Sequence, residues 1–480
     1  MMFEMKRSSG VLMHVSSLWG EYSIGSLGRE AREWIDLLAS GGFHVWQVLP
    51  FCLPDECNSP YKSFSAFSLN PNFIDLPTLY EQGLLTAAEL AGAKQKTPYV
   101  CEFERLSDER MALLAKAASR VTDRAPIEAF LAAHPQVASF CRFMAIKERS
   151  GGREWIDWSD ETPDTETQRV WEFTQYACYT QWLSLKEYAN ARGVSIIGDI
   201  PIYVAYDSAD VWANRELFQL DPDYRPEAVA GVPPDYFCED GQLWGNPLYD
   251  WKRMKQDGFA WWRERMTFMM ELFDGVRIDH FRGLESYFSI PAGEKTARNG
   301  VWKKGPGMAL IRALREVCGN RLVIAEDLGD ITPAVRKLVE DSKYPGMRVL
   351  QFAFLGDENS WHLPHNYENN CVAYTGTHDN NTLLGYVWEL DEATRRRLMD
   401  YCGFTGDWNA CYDAVLRMMF ASAAGLVILP VQDLLLYGSD TRLNTPGRSD
   451  GNWSYRLTRE QMAGISMDKF SSWNRLYARI

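Results

Sequence analysis

Arg277 and Asp279 stand two residues apart at the end of a short apolar run, Gly275-Val276-Arg277-Ile278-Asp279, and Gly283 closes the turn that follows. A strand has a side-chain period of two, so both residues point to one side. A guanidinium beside a carboxylate keeps it ionised, the state required of a nucleophile or an electrostatic stabiliser. Taken alone, the pair reads equally as a structural ion pair at a strand end. The pattern recurs, however. Val194-Ser195-Ile196-Ile197-Gly198 ends in Asp199, Arg321-Leu322-Val323-Ile324-Ala325 ends in Glu326, and the run from Cys371 ends in His378-Asp379. Carboxylates and an arginine at several strand ends, with aromatics in the loops after them, suit glycosyl chemistry. Such chemistry needs one ionised carboxylate as nucleophile and one protonated carboxylic acid near the leaving oxygen, about 5–5.5 Å apart for retention. Arg277 would hold Asp279 ionised, and an apolar setting would raise Glu326 until it can donate a proton.

For residues so far apart in sequence to meet, the strands that carry them must converge. Eight apolar runs end near positions 14, 50, 199, 279, 326, 353, 377 and 431, with helical segments between them. The first helix is written by Ala31, Trp34, Ile35 and Leu38 at helical spacing and stopped by Gly41-Gly42. Strand, helix and strand within the first fifty residues make a βαβ unit and imply parallel strands. No Gly-x-Gly-x-x-Gly opens the first βα turn, which counts against a doubly wound open sheet. The expectation is an α/β chain forming a (β/α)₈ TIM barrel, whose site gathers at the strand C-termini, with subdomains inserted after strands 2 and 3. Residues 1–75 begin the barrel and 76–166 form a mainly helical insertion, with Thr86 and Glu89 in a capping box. The barrel continues over 167–202, a loop-rich insertion over 203–260 covers the site, and 261–480 complete the barrel.

Composition bounds the partners. Of 480 residues, 46% are hydrophobic and 24% charged, enough for a large core. The balance of 50 basic and 64 acidic residues gives −14, which argues against nucleic acid and anionic membrane surfaces and suits a neutral substrate. The 18 tryptophans and 22 tyrosines exceed what core filling asks for and suit stacking on flat apolar ligand faces. Ten scattered cysteines include no Cys-x-x-Cys pair and read as reduced thiols. With no secretory h-region and no run near the length of a membrane span, the expectation is a cytoplasmic monomer or small homo-oligomer. Seven histidines without ligand spacing predict no metal, and no cofactor is expected.

In this order, Asn58-Ser59-Pro60-Tyr61, Gly198-Asp199-Ile200-Pro201-Ile202-Tyr203-Val204, Pro233-Pro234-Asp235 and Gln242-Leu243-Trp244-Gly245-Asn246-Pro247 occur along the chain. Val276 to Gly283, Ala325-Glu326-Asp327-Leu328-Gly329, Gly376-Thr377-His378-Asp379-Asn380, Asn444, Pro446-Gly447 and Asn452-Trp453 follow. Together they resemble the amylomaltases, the 4-α-glucanotransferases of glycoside hydrolase family 77 in the α-amylase clan. The resemblance implies that α-1,4-glucans and maltooligosaccharides serve as donor and acceptor in retaining transfer through a covalent β-glucosyl-enzyme. It implies Asp279 as nucleophile, Glu326 as acid and then base, and Asp379 binding sugar hydroxyls beside His378. Arg277 would orient Asp279, Asp199 and Tyr203 would shape the donor subsite, and Trp244 and Tyr61 would stack on glucose rings. Asp235 and Asn444 are further substrate-binding candidates. Neither a C-terminal β-sandwich nor the calcium site of many α-amylases is expected.

Plainer roles are expected for other polar residues at strand ends. Asp327 reads as a turn or helix-capping residue, His280 and Asp433 as satisfied strand-end partners, and His14 and His44 as structural. The chain departs from the family pattern at Phe51-Cys52-Leu53-Pro54-Asp55-Glu56-Cys57, at Arg448 and at Tyr386, all in loops that shape subsites. Retaining hydrolysis of α-1,4-glucans by the same carboxylates is the alternative activity.

Overall fold

Eight short apolar runs form the parallel strands of a closed barrel in the computed structural model, which describes residues 6–54, 58–234, 239–448 and 450–479. In chain order the strands are β1 (Ser8–Leu12), β2 (Val45–Gln47), β3 (Ser195–Ile200), β4 (Ala228–Val232), β5 (Gln242–Pro247) and β6 (Gly275–Ile278). They continue with β7 (Ser286–Pro291), β8 (Val301–Lys304), β9 (Leu322–Ala325), β10 (Gly346–Val349), β11 (Cys371–Tyr374) and β12 (Leu426–Pro430). The barrel order is β1-β12-β11-β10-β9-β6-β3-β2, closed by pairing of Ser8 to Leu12 with Leu426 to Pro430. This is the expected (β/α)₈ architecture. The last strand residues are 12, 47, 200, 278, 325, 349, 374 and 430, within four positions of the ends read from the sequence.

Strand runs such as Leu426 to Pro430 are buried along their whole length, because helices cover the outside of a parallel barrel while side chains fill its inside. Gly198 in β3 is required by packing: a Cβ there would collide with the ring of Phe273. The helix Arg29–Ser40 turns Ala31, Trp34, Ile35 and Leu38 inward, each fully buried. Each of the three large side chains contributes about 1.5–3 kcal/mol by leaving water. The helix stops at Gly41, and Gly42 follows at φ +70°.

Two excursions leave the barrel at strand C-termini. Between β2 and β3 the chain is mainly helical, including Met111–Ser119, Ala125–Ala133, Pro135–Arg149 and the 26-residue helix Thr165–Asn190. The capping box forms as read: Glu89 N donates to Thr86 Oγ1 at 3.2 Å and Thr86 N to Glu89 Oε2 at 2.8 Å. The second excursion, after β3, contributes β4 and β5 to an antiparallel sheet of order β5-β4-β7-β8. The region 203–260, read as loop-rich, therefore holds two strands, of which β4 pairs with β5 and with β7 from the segment after β6. Pro233 and Pro234 interrupt the run after β4, a bulge shifts the register between Val229 and Gly231, and β8 is exposed throughout, so no hydrophobic alternation announces this sheet.

Candidate active site

Asp199 in β3 and Arg277 in β6 are register partners across two neighbouring strands. Their side chains therefore meet: Arg277 Nη1 lies 2.7 Å from Asp199 Oδ1 and 2.6 Å from Oδ2. The second amino group, Nη2, donates to Asp279 Oδ1 at 2.7 Å. One guanidinium thus bridges two carboxylates, and the three groups differ in accessibility. The Asp199 side chain is 0% exposed, Arg277 5% and Asp279 30%, so only the last faces outward. Burial works against the Arg277 cation, but Asp199 and Asp279 outweigh it and hold the guanidinium firmly charged. Tyr61 donates its hydroxyl to Asp199 Oδ2 at 2.6 Å, completing the support.

Glu326 follows β9 and accepts two backbone amides, His280 N at Oε2 and Leu328 N at Oε1, both at 2.8 Å. Burial first, and then the charge of Asp279, push its carboxyl up to about 8, against the opposing pull of Arg277 and the Leu328 amide. At neutral pH it holds a proton. His280 reaches it because the backbone turns into the left-handed region at φ +50°, an uncommon conformation for a residue with a side chain. The imidazole packs edge-on against Trp244, centroids 4.9 Å apart, and burial lowers its pKa to about 4. Its Nε2 is buried without a hydrogen-bond partner. His280 is thus not the satisfied strand-end partner expected: its ring nitrogen is unpaired and its amide anchors Glu326. A residue directly after a candidate nucleophile was the one signal the sequence offered.

Asp379 lies in the loop after β11, accepting from Asn444 Nδ2 at 2.6 Å and facing His378 Nε2 at 3.3 Å. Partial desolvation opposes its charge, but His378, the Asn444 amide and Arg277 outweigh this and hold the carboxyl at about 2. The result is one carboxylate that stays ionised and one that stays protonated, an arrangement fit for charge stabilisation beside proton donation. Arg442, not singled out in the sequence, donates to the carbonyl of Asp379 at 2.5 Å and to that of Asn444 at 2.8 Å, tying the two loops together.

Above these groups is a cleft of about 350 Å³ lined by Tyr61, Tyr203, Trp244, Asp279, His378, Asp379 and Asn444, with Trp453. Tyr61 stacks on His378 at 5.0 Å and 15°, and Trp453 closes against both rings at 5.9–6.0 Å. Trp453 sits at φ +65°, held by its amide donating to the Leu443 carbonyl at 2.7 Å. Tyr203 packs between Trp244 and Tyr249. Of the residues singled out in the sequence, Asp199 and Arg277 underlie the cleft and Glu326 joins through the His280 amide. Asp235 lies outside the described residues.

The remaining polar residues take plainer places. Asp327 caps no helix; the helix after β9 is capped by Thr332. Its carboxylate instead accepts the Met347 amide at 2.6 Å and faces Arg348 at 3.3 Å, an arrangement that needs Gly346, where a Cβ would strike the carboxylate. Asp433 accepts Thr375 Oγ1 at 2.5 Å and the Leu383 amide at 2.7 Å. His14 accepts the Leu49 amide at 3.3 Å, and burial, then His378, lower its pKa to about 3. His44 Nδ1 meets the Gly193 carbonyl at 3.0 Å. Among the described residues no cluster of side chains could hold a metal ion, and no helix is long and apolar enough to cross a membrane.

A family profile described as 4-alpha-glucanotransferase matches residues 13–462. A 4-alpha-glucanotransferase of Streptococcus pneumoniae serotype 4 is 42% identical over 99% of this chain and 98% of its own. One from Aquifex aeolicus is 42% identical over 94% and 95%. Among solved structures, an amylomaltase from Streptococcus agalactiae in complex with acarbose superposes with a TM-score of 0.95 at 36% identity, covering 99% of this chain and 100% of that one.

Proposed function

The chain belongs to glycoside hydrolase family 77, the 4-alpha-glucanotransferases, and we propose that it transfers α-1,4-glucan segments between maltooligosaccharides by double displacement at Asp279 and Glu326. The observation that carries this reading is the placement of two carboxylates at one site, Asp279 bound by Arg277 and Glu326 anchored by the amide of the residue after Asp279. Arg277 donates to Asp279, while burial and Asp279 hold a proton on Glu326. Asp279 Oδ attacks the anomeric carbon as the glycosidic C–O bond breaks, and Glu326 gives its proton to the departing glucan oxygen. The product is a β-glucosyl ester of Asp279. Esterification removes the Asp279 charge, one of the two leading causes that raise Glu326. The Glu326 pKa therefore falls, so having given up its proton Glu326 stays ionised, the form that can act as base. It takes the proton from the 4-hydroxyl of a second glucan, whose oxygen displaces Asp279 and restores an α-1,4 bond.

Asp379 is assigned to the sugar hydroxyls and the charge that develops on the distorted ring, with His378 and Asn444 orienting it. Tyr61 and Trp244 are assigned to stacking on glucose rings, Tyr203 and Asp199 to the donor side, and Asp235 to the substrate as well. Transfer instead of hydrolysis requires that an acceptor sugar displace water. The sheet β5-β4-β7-β8, which carries Trp244, is the part of the fold assigned to that exclusion. No metal or cofactor has a role in this scheme. The eight described cysteines are free, which supports a reducing, cytoplasmic setting, and the chain is read as a monomer or small homo-oligomer.

The test is incubation with maltotriose without added metal, followed by chromatography and a free-glucose assay. A ladder of longer maltooligosaccharides with glucose supports transfer. Maltose and glucose alone would replace it with hydrolysis.

A further inference from the structure

Trp388 is the most exposed of the 18 tryptophans, at 61%, with Trp302 next at 38%. Tryptophan is highly buried on average, and this indole is mostly in water. It is nevertheless held in place. Its Nε1–H donates to the hydroxyl of buried Tyr412 at 3.0 Å, and its ring meets Trp408 edge-on with centroids 5.7 Å apart at 76°. Arg395 lies over Trp408 at 4.2 Å while its N–H groups cap the carbonyls of Val387, Trp388 and Leu390 at 2.6–3.1 Å. The corner is thus pre-organised, although the site above makes no use of it.

We propose that Trp388 is a non-catalytic contact for a second stretch of α-1,4-glucan, whose pyranose C–H faces stack on the exposed indole; the proposal rests on the transferase reading. Charge and area on the page select this occupant. Exposed Glu389, Asp391, Glu392 and Asp407 are set against Arg395 in the corner and exposed Arg396 and Arg397 beside it in sequence, so no strong field of one sign attracts a charged polymer and a neutral polyol suits the place. One indole offers about 150–250 Å², well under the roughly 800 Å² per partner of a stable protein interface. Position selects it too. The helix Leu383–Glu389 begins four residues after Asp379, and at 1.5 Å per residue Trp388 lies about 9 Å along its axis from Thr382. A long glucan held at both places gains by effective concentration, and a trisaccharide does not.

The experiment compares wild-type protein with Trp388→Ala on maltotriose and on long amylose, together with affinity electrophoresis in glycogen-containing gels. Losing the stack is expected to cut kcat/KM on amylose and retardation by glycogen about fivefold, with maltotriose disproportionation within about twofold of wild type. Equal retardation of the two proteins would overturn the proposal. A wild-type protein inactive on maltotriose would instead count against the transferase reading. A second measurement needs no variant. Glycogen is expected to protect the Trp388 peptide of the wild-type protein from N-bromosuccinimide oxidation, read by mass spectrometry, where maltotriose does not. Oxidation at the same rate with and without glycogen would overturn the proposal as well.

Discussion

The backbone amide of His280 donates to Glu326 Oε2 at 2.8 Å, so the residue that follows one carboxylate of the pair anchors the other. The left-handed turn at His280 aims its N–H at Glu326 and its ring at Trp244 in the covering sheet. Nucleophile, acid and cover are therefore linked through a single residue.

Activity is expected to fall on the alkaline side with a pKa near 8, because the first step needs the protonated Glu326. The sign for stability is the same. Glu326 has a folded pKa raised above the unfolded value of about 4.3. Its contribution is complete below that value and is lost as pH rises to about 8. Glu326→Gln should abolish maltotriose disproportionation and raise Tm at pH 8 relative to wild type. Calorimetry at pH 5 and pH 8 checks this, since the gain should shrink at the lower pH.

Arg277 bridges Asp199 and Asp279 from a nearly inaccessible position. Arg277→Ala leaves a buried carboxylate uncompensated, a loss of about 3–5 kcal/mol. Urea titration should show a clear fall in midpoint. A stability within 1 kcal/mol of wild type, roughly a fivefold change in equilibrium, would contradict the bridge.

Asn444 donates to Asp379, whose carboxyl sits at about 2. Asn444→Ala should raise that pKa and lower kcat/KM on maltotriose about tenfold, the worth of a hydrogen bond to a charged group. Because Asp379 remains ionised far below neutrality, the acid limb of the wild-type profile should not arise from it. Rate profiles from pH 3 to pH 7 for both proteins decide the point.

Trp244 packs on Tyr203 and His280 at the cleft. Trp244→Ala should open the acceptor side to water and lower the ratio of transferred glucan to reducing ends formed. An unchanged ratio would remove Trp244 from acceptor selection.

Much of this site was legible because barrel strands are buried on both faces and write continuous apolar runs. Asp199, Asp279, Glu326 and His378 end or follow such runs, and the rule that strand C-termini converge brings them together. The antiparallel sheet was not legible, since β4 and β5 carry Gly, Asn and Pro and β8 is exposed. The roles of three residues escaped for reasons of tertiary geometry, although His280 and Trp453 stand within the motifs read from the sequence. His280 acts through a backbone amide, Arg442 through carbonyls of distant loops, and Trp453 through a left-handed backbone that no hydrophobic pattern encodes.

The central claim is that Asp279 forms a covalent bond to the donor sugar. Its most direct test uses Glu326→Gln with α-maltosyl fluoride, whose fluoride departs without an acid while the amide cannot serve as the base that releases the sugar. Rapid quenching, peptic digestion and mass spectrometry should place one added maltosyl group on the peptide containing Asp279. A maltosyl group on Asp199, Asp379 or another residue, or fluoride release with no labelled peptide, would contradict the account.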